Sequence, residues 1–144
     1  MKKGVDYIGV GVGAVIINEN NEILLLKRLV EPEQGCWTIP GGTVEFGETV
    51  EEAIIREMEE EIGVKIEVVK LLGVTNHILK DEKKHWVSPA FLVKIVKGVP
   101  ENKEPHKHED LKWFSTNSLP INPTMTTKVA LNNYLNQFSK KHVN

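Results

Sequence analysis

Glu57, Glu60 and Glu61 stand at the relative spacing i, i+3 and i+4. At about 100° per residue an α-helix gathers such positions on one stripe. Two like charges at i,i+4 cost roughly 0.2–0.5 kcal/mol in an isolated helix, and no lysine is interspersed among these acids. A run of this kind is either a solvated acidic face or a set of oxygen ligands. The second alternative suits a hard divalent cation, because Mg²⁺ binds through carboxylates while keeping waters and bridging to phosphates.

The elements that must position these acids are legible around them. Thr49 reads as an N-cap and Glu52 as its capping-box partner, which predicts a helix from Val50 to Ile62 stopped by Gly63. Ile54, Ile55, Met58 and Ile62 form its expected apolar stripe, with the acids on a neighbouring one. Before it, Pro40-Gly41-Gly42 reads as a loop whose glycines permit backbone conformations closed to other residues.

Upstream, Ile8 to Ile17 alternates as a strand, with Gly9, Gly11 and Gly13 on one face and Val10, Val12, Ala14 and Ile16 on the other. That bare face either packs closely against another element or forms a floor for a ligand. Ile23 to Leu26 is a short apolar run of interior-strand type, ending in Lys27 and Arg28. Arg28 is either surface charge or a bidentate partner for phosphate. Cys36 to Ile39 reads as another short strand, with Trp37 as a core or wall residue.

Downstream, Lys65 to Thr75 reads as two strand segments and Trp86 to Val96 as another, separated by a charged hairpin loop from Leu79 to Lys84. Trp86 is a candidate either for cross-strand packing or for stacking on a base. Leu111 to Phe114 is a short strand behind His106-Lys107-His108-Glu109-Asp110, where the histidines read as a solvated loop, since the pair lacks a cysteine partner for zinc. Asn122 is the expected cap of a final helix with Pro123 at N1, its Leu131, Tyr134, Leu135 and Phe138 recurring as a core stripe before a charged end at Lys140, Lys141 and His142.

The 144 residues fit one domain, 1–144, with room for a core. Eighteen Lys and Arg against 20 Asp and Glu leave a net charge of −2, which argues against polymeric nucleic acid as partner. No long apolar span or signal-peptide core is seen, so neither membrane insertion nor export is expected, and a cytoplasmic location is. Cys36, the single cysteine, cannot form an internal disulfide and has no histidine near it in sequence.

From Gly42 to Val64 the chain resembles the signature of the Nudix family, G-x5-E-x7-R-E-U-x-E-E-x-G-U, with U aliphatic. Gly42, Glu48, Arg56, Glu57, Met58, Glu60, Glu61, Gly63 and Val64 occupy its fixed positions, Met58 being a mild variant. The resemblance implies an α/β/α sandwich with a mixed β-sheet and Mg²⁺-dependent (Mn²⁺ possible) hydrolysis of a nucleoside diphosphate linked to another group. It implies Glu57, Glu60, Glu61 and the Gly41 carbonyl as metal ligands and Glu57 as the box candidate for activating water. Arg56 would orient a glutamate, and Glu48, with Gly42, would support the metal shell or tie down the loop. An acid ahead of Trp113 would complete the cluster: Glu109 leads, as ligand and as rival base, with Glu104 and Asp110 as substitutes. The short domain and the GVGVGAV opening look like the MutT-type group that converts nucleoside triphosphates to monophosphate and pyrophosphate. The alternatives are hydrolysis of ADP-ribose, nucleotide sugars or dinucleoside polyphosphates, or nucleotide binding without cleavage. A homodimer is plausible by the same analogy.

Overall fold

The computed structural model describes residues 1–138, so the charged end expected at Lys140, Lys141 and His142 lies outside the described residues. In chain order the elements are β1 (Gly9–Ile16), β2 (Glu22–Arg28), β3 (Trp37–Thr38), β4 (Gly41–Thr43), α1 (Val50–Ile62), β5 (Lys65–Leu79), β6 (Lys84–Lys97), β7 (His108–Ser115) and α2 (Met125–Gln137). One sheet runs β4-β1-β6-β5 and is mixed, because β1 and β6 are parallel while the other pairs are antiparallel. A second, antiparallel sheet runs β3-β2-β7.

Strand alternation explains the layering. On β1 and β2, Val12, Ala14, Ile16, Leu24 and Leu26 pack with Ala53, Ile54, Met58 and Ile62 of α1. The intervening Val15, Ile23 and Leu25 pack with Ala130 and Leu131 of α2. Two strands whose successive side chains enter different cores place the helices on opposite sides. The α/β/α sandwich with a mixed sheet is therefore present, joined by a small antiparallel sheet.

The helix α1 forms by the expected capping box: Glu52 donates its backbone N–H to Thr49 Oγ1 at 3.0 Å, and Thr49 donates its own to Glu52 Oε1 at 2.8 Å. Gly63 ends it in the left-handed conformation, φ 70° and ψ 30°. The apolar stripe differs at one position, since Ile55 is 39 % exposed. Glu61 instead falls on the inner face: it lies seven residues after Ile54, nearly two full turns, and is only 5 % exposed.

Several strands run beyond their sequence boundaries, and one helix start moves. Gly41 and Gly42 belong to β4 and pair with Gly13 and Val12 of β1, so they are strand and not loop. Lys65 to Leu79 is one continuous strand carried past irregularities by register shifts against β6. The last strand begins at His108, three residues before the expected Leu111. Thr124, in place of Asn122, caps α2, accepting a hydrogen bond from Thr127 N–H. Pro123 is occupied in a bridge to Trp37, and Asn122 Nδ2 donates to the Gly35 carbonyl at 2.9 Å.

Candidate active site

Arg56 is the hub of the acidic helix face. Its Nε and Nη2 donate to the two carboxylate oxygens of Glu48 at 2.6 and 2.9 Å, a bidentate pair. Nη1 donates to Glu57 at 3.0 Å and to Glu60 at 2.8 Å, and Nη2 also reaches the Thr43 carbonyl at 2.9 Å. One guanidinium thus holds three acids and the end of β4. The Arg56 fork keeps the Glu48 carboxyl down at about 2, helped by the Glu45 N–H that also donates to it. Burial raises the Glu57 carboxyl above its ordinary range, with Arg56 opposing that rise.

The position of Glu57 depends on the residue beneath it. A Cβ on Gly42 would land on the Glu57 carboxylate, and a Cβ on Gly41 would land on the Val12 carbonyl. These glycines therefore serve close approach. The Gly41 N–H donates to Glu61 Oε1 at 2.8 Å, which ties β4 to the inner face of α1. Burial pushes the Glu61 carboxyl up to about 8, and the neighbouring Glu57 and Glu104 charges add to the rise.

Glu104 reaches Glu61 because the loop before β7 caps the end of α1. The N–H groups of Glu101 and Lys103 donate to the Ile62 and Glu61 carbonyls, both at 3.0 Å, satisfying acceptors that a helix end leaves open. The Glu104 carbonyl then accepts from Lys107 N–H and His108 N–H, while Asn102 Nδ2 donates to the His108 carbonyl. This turn brings Glu61, Glu104 and His108 together, with one ligand atom from each lying within 4.8 Å of the others.

Glu109 does not join them. Glu109 lies at the irregularity of β7 where Asp110 pairs with Lys27 and His108 with Arg28, and it is exposed, pairing with Lys27 at 3.7 Å. Asp110 is also exposed, and Glu104 is the acid ahead of Trp113 that stands beside the cluster. His108, assigned to a solvated loop from sequence, is 5 % exposed, and burial lowers its imidazole to about 4.

A cavity of about 340 Å³ opens over this corner, lined by Gly11, Gly13, Arg28, Gly41, Gly42, Glu61, His77, Trp86, Ser88, His108 and Thr124 among others. The bare face of β1 serves both alternatives: the Trp86 and Ile39 side chains fill the space beside Gly9 and Gly13, whereas Gly11 faces Ser88 at the cavity floor. Trp86 lines the cavity, but its indole lies against Gly4 and Gly9, which favours packing over base stacking. Arg28 is on the cavity wall with its Nε donating to the Pro32 carbonyl at 2.7 Å. The cavity residues His77, Ser88, Thr75 and Thr124 carried no local signal in the sequence, because they come from strands and a helix start far apart in the chain.

The donor set fits a divalent cation. Among the described residues no Lys or Arg forms an ion pair with Glu61, although its carboxylate is buried beside two further acids. Buried carboxylates of this density are stable in ionised form only when a cation joins them.

Fold and site together place an acid-lined corner on an α/β/α sandwich. The NUDIX domain model matches residues 8–134, and the chain belongs to that family. It is 42% identical over 105 residues to a Methanocaldococcus jannaschii protein named ADP-ribose pyrophosphatase, covering 73% of this chain and 61% of that protein. It is 34% identical to the mouse 8-oxo-dGDP phosphatase NUDT18 over 83% of this chain, but spans only 35% of that protein. A MutT NUDIX hydrolase structure from Burkholderia pseudomallei, 44% identical, superposes with a TM-score of 0.84 over 88% of this chain and 97% of its own.

Proposed function

We propose that the protein hydrolyses the pyrophosphate bond of a nucleoside diphosphate-linked substrate with the help of Mg²⁺, or Mn²⁺ in its place, and that the substrate is a (d)NTP or modified nucleoside triphosphate cleaved to monophosphate and pyrophosphate. The observation that carries this is that Glu57 and Glu60, held by Arg56, stand on the same helix as the buried Glu61, which lines the cavity beside Glu104.

Glu57, Glu60, Glu61 and Glu104 are the carboxylates that would hold the cation, with the Gly41 carbonyl a further oxygen donor by family resemblance. When bound, the cation supplies Lewis-acid polarisation of phosphate oxygens and neutralises their charge. Glu57 Oε2 accepts from Arg56, leaving Oε1 without a hydrogen bond from the described residues and able to take a proton from attacking water. Water attack on phosphorus forms one P–O bond as the anhydride P–O bond breaks, and the departing phosphate carries the electron pair. Arg56 and Glu48 are positioning residues, fixing the carboxylates and the loop between β4 and α1. Arg28 on the cavity wall is the cation available to a phosphate chain, while Trp86 contributes wall area. Glu109, exposed and paired with Lys27, is set aside as base in favour of Glu57.

A second substrate reading, ADP-ribose, is favoured by the name of the Methanocaldococcus relative. The test is a Mg²⁺-dependent screen of canonical and oxidised (d)NTPs and (d)NDPs, ADP-ribose, nucleotide sugars and dinucleoside polyphosphates, ranked by kcat/KM. Leading turnover of triphosphates is expected. An ADP-ribose maximum overturns the substrate and keeps the reaction class, whereas no metal-dependent turnover of any of them overturns both.

A further inference from the structure

We propose that His108 is a metal ligand, so that this corner offers a mixed nitrogen and oxygen site, Glu61–Glu104–His108, suited to a first-row transition divalent ion beside the all-carboxylate positions. The inference rests on the metal-dependent reading above and extends it to a residue that the box does not contain.

The imidazole is 5 % exposed, yet among the described residues neither ring nitrogen has a hydrogen-bond partner: Nδ1 is fully buried without one, and Nε2 stands 3.6 Å from Glu61 Oε2, beyond hydrogen-bond distance. Buried imidazoles ordinarily find a donor or acceptor. This one faces two acids across a gap while its backbone is fixed on both sides, N–H to the Glu104 carbonyl and C=O from Asn102. The two oxygens of Glu61 divide their partners: Oε1 accepts the Gly41 N–H, and Oε2 is the atom turned toward His108. A cation between them takes Nε2 and one oxygen from each carboxylate at once. An imidazole in the donor set favours ions such as Mn²⁺, Co²⁺ or Zn²⁺ over Mg²⁺, which prefers oxygen throughout.

The test uses the whole protein, stripped with chelator and loaded with Mn²⁺. Pulsed electron paramagnetic resonance is expected to show ¹⁴N coupling from a bound imidazole, lost in His108→Phe and retained in His77→Asn, which removes the other cavity histidine. Calorimetry is expected to show Mn²⁺ affinity reduced at least about tenfold in His108→Phe, a loss no smaller than that from altering an outer-shell partner, with Mg²⁺ affinity changed less. Should His108→Phe not fold, the His77→Asn protein carrying ¹⁵N-labelled histidine decides the matter, the ¹⁴N coupling being replaced by ¹⁵N coupling if a histidine binds the ion and absent if none does. Mn²⁺ bound with no nitrogen coupling overturns His108 as ligand and leaves the carboxylate site and hydrolysis intact. Absence of any Mn²⁺ or Mg²⁺ binding overturns both.

Discussion

Glu57 is at once held and available. Arg56 fixes one oxygen while burial raises its proton affinity, a combination that suits a general base. Glu57→Gln retains the shape and a hydrogen-bonding oxygen but loses the charge and the basic site. Steady-state kinetics on the best substrate is expected to show kcat lowered by about 10²–10⁴, with an unchanged far-ultraviolet circular dichroism spectrum. A kcat within a few-fold of wild type would remove Glu57 from the proton transfer. His108 shows the limit of residue-level reading: the H-x-H pattern carried too little to separate a solvated loop from an inward strand residue, and only the continuation of β7 back to position 108 decides it.

At the scale of elements, what the sequence encoded locally was readable, and what depended on distant partners was not. The bounds of α1 follow from Thr49, Glu52 and Gly63, all within the helix and its caps. By contrast, β4 has its strand character only because β1 lies beside it, and a Pro-Gly-Gly stretch taken alone reads as a turn. The cap of α2 moved to Thr124 because Pro123 and Asn122 are committed to β3 and the loop before it. The two glycines of β4 separate packing from chemistry. In Gly42→Ala the new methyl meets the end of a flexible side chain, so stability in chemical denaturation is expected to change little while turnover falls as Glu57 is displaced. In Gly41→Ala the methyl meets the Val12 backbone, and destabilisation by about 1–3 kcal/mol is expected. Equal stability losses in the two variants would contradict this division.

For the whole molecule, the acid corner sets how stability varies with pH. Glu61 is raised from 4.5 to about 8 on folding, so the native state binds the extra proton, and its contribution fades as pH rises through that interval. His108 is lowered from 6.5 to about 4 and acts oppositely, its contribution present above 6.5 and lost as pH falls through about 4. The two oppose each other between 4.5 and 6.5, and above 6.5 the His108 effect no longer offsets that of Glu61. Chelator-treated protein is therefore expected to lose thermal stability from pH 6.5 to 8, and saturating Mg²⁺ is expected to abolish that decline by taking the proton's place. A Tm that is flat over this range without metal would show that Glu61 is not held against ionisation. No described helix is long and apolar enough to cross a membrane.

The loop ahead of β7 couples two distant stretches of chain, because the Glu101 and Lys103 amides that close the end of α1 also deliver Glu104 to Glu61. During synthesis the acidic helix leaves the ribosome well before that loop does. Until that segment arrives, the Glu61 and Ile62 carbonyls and the Glu61 side chain all lack the partners it brings. One short segment thus covers the last carbonyls of α1 and completes the acid corner together.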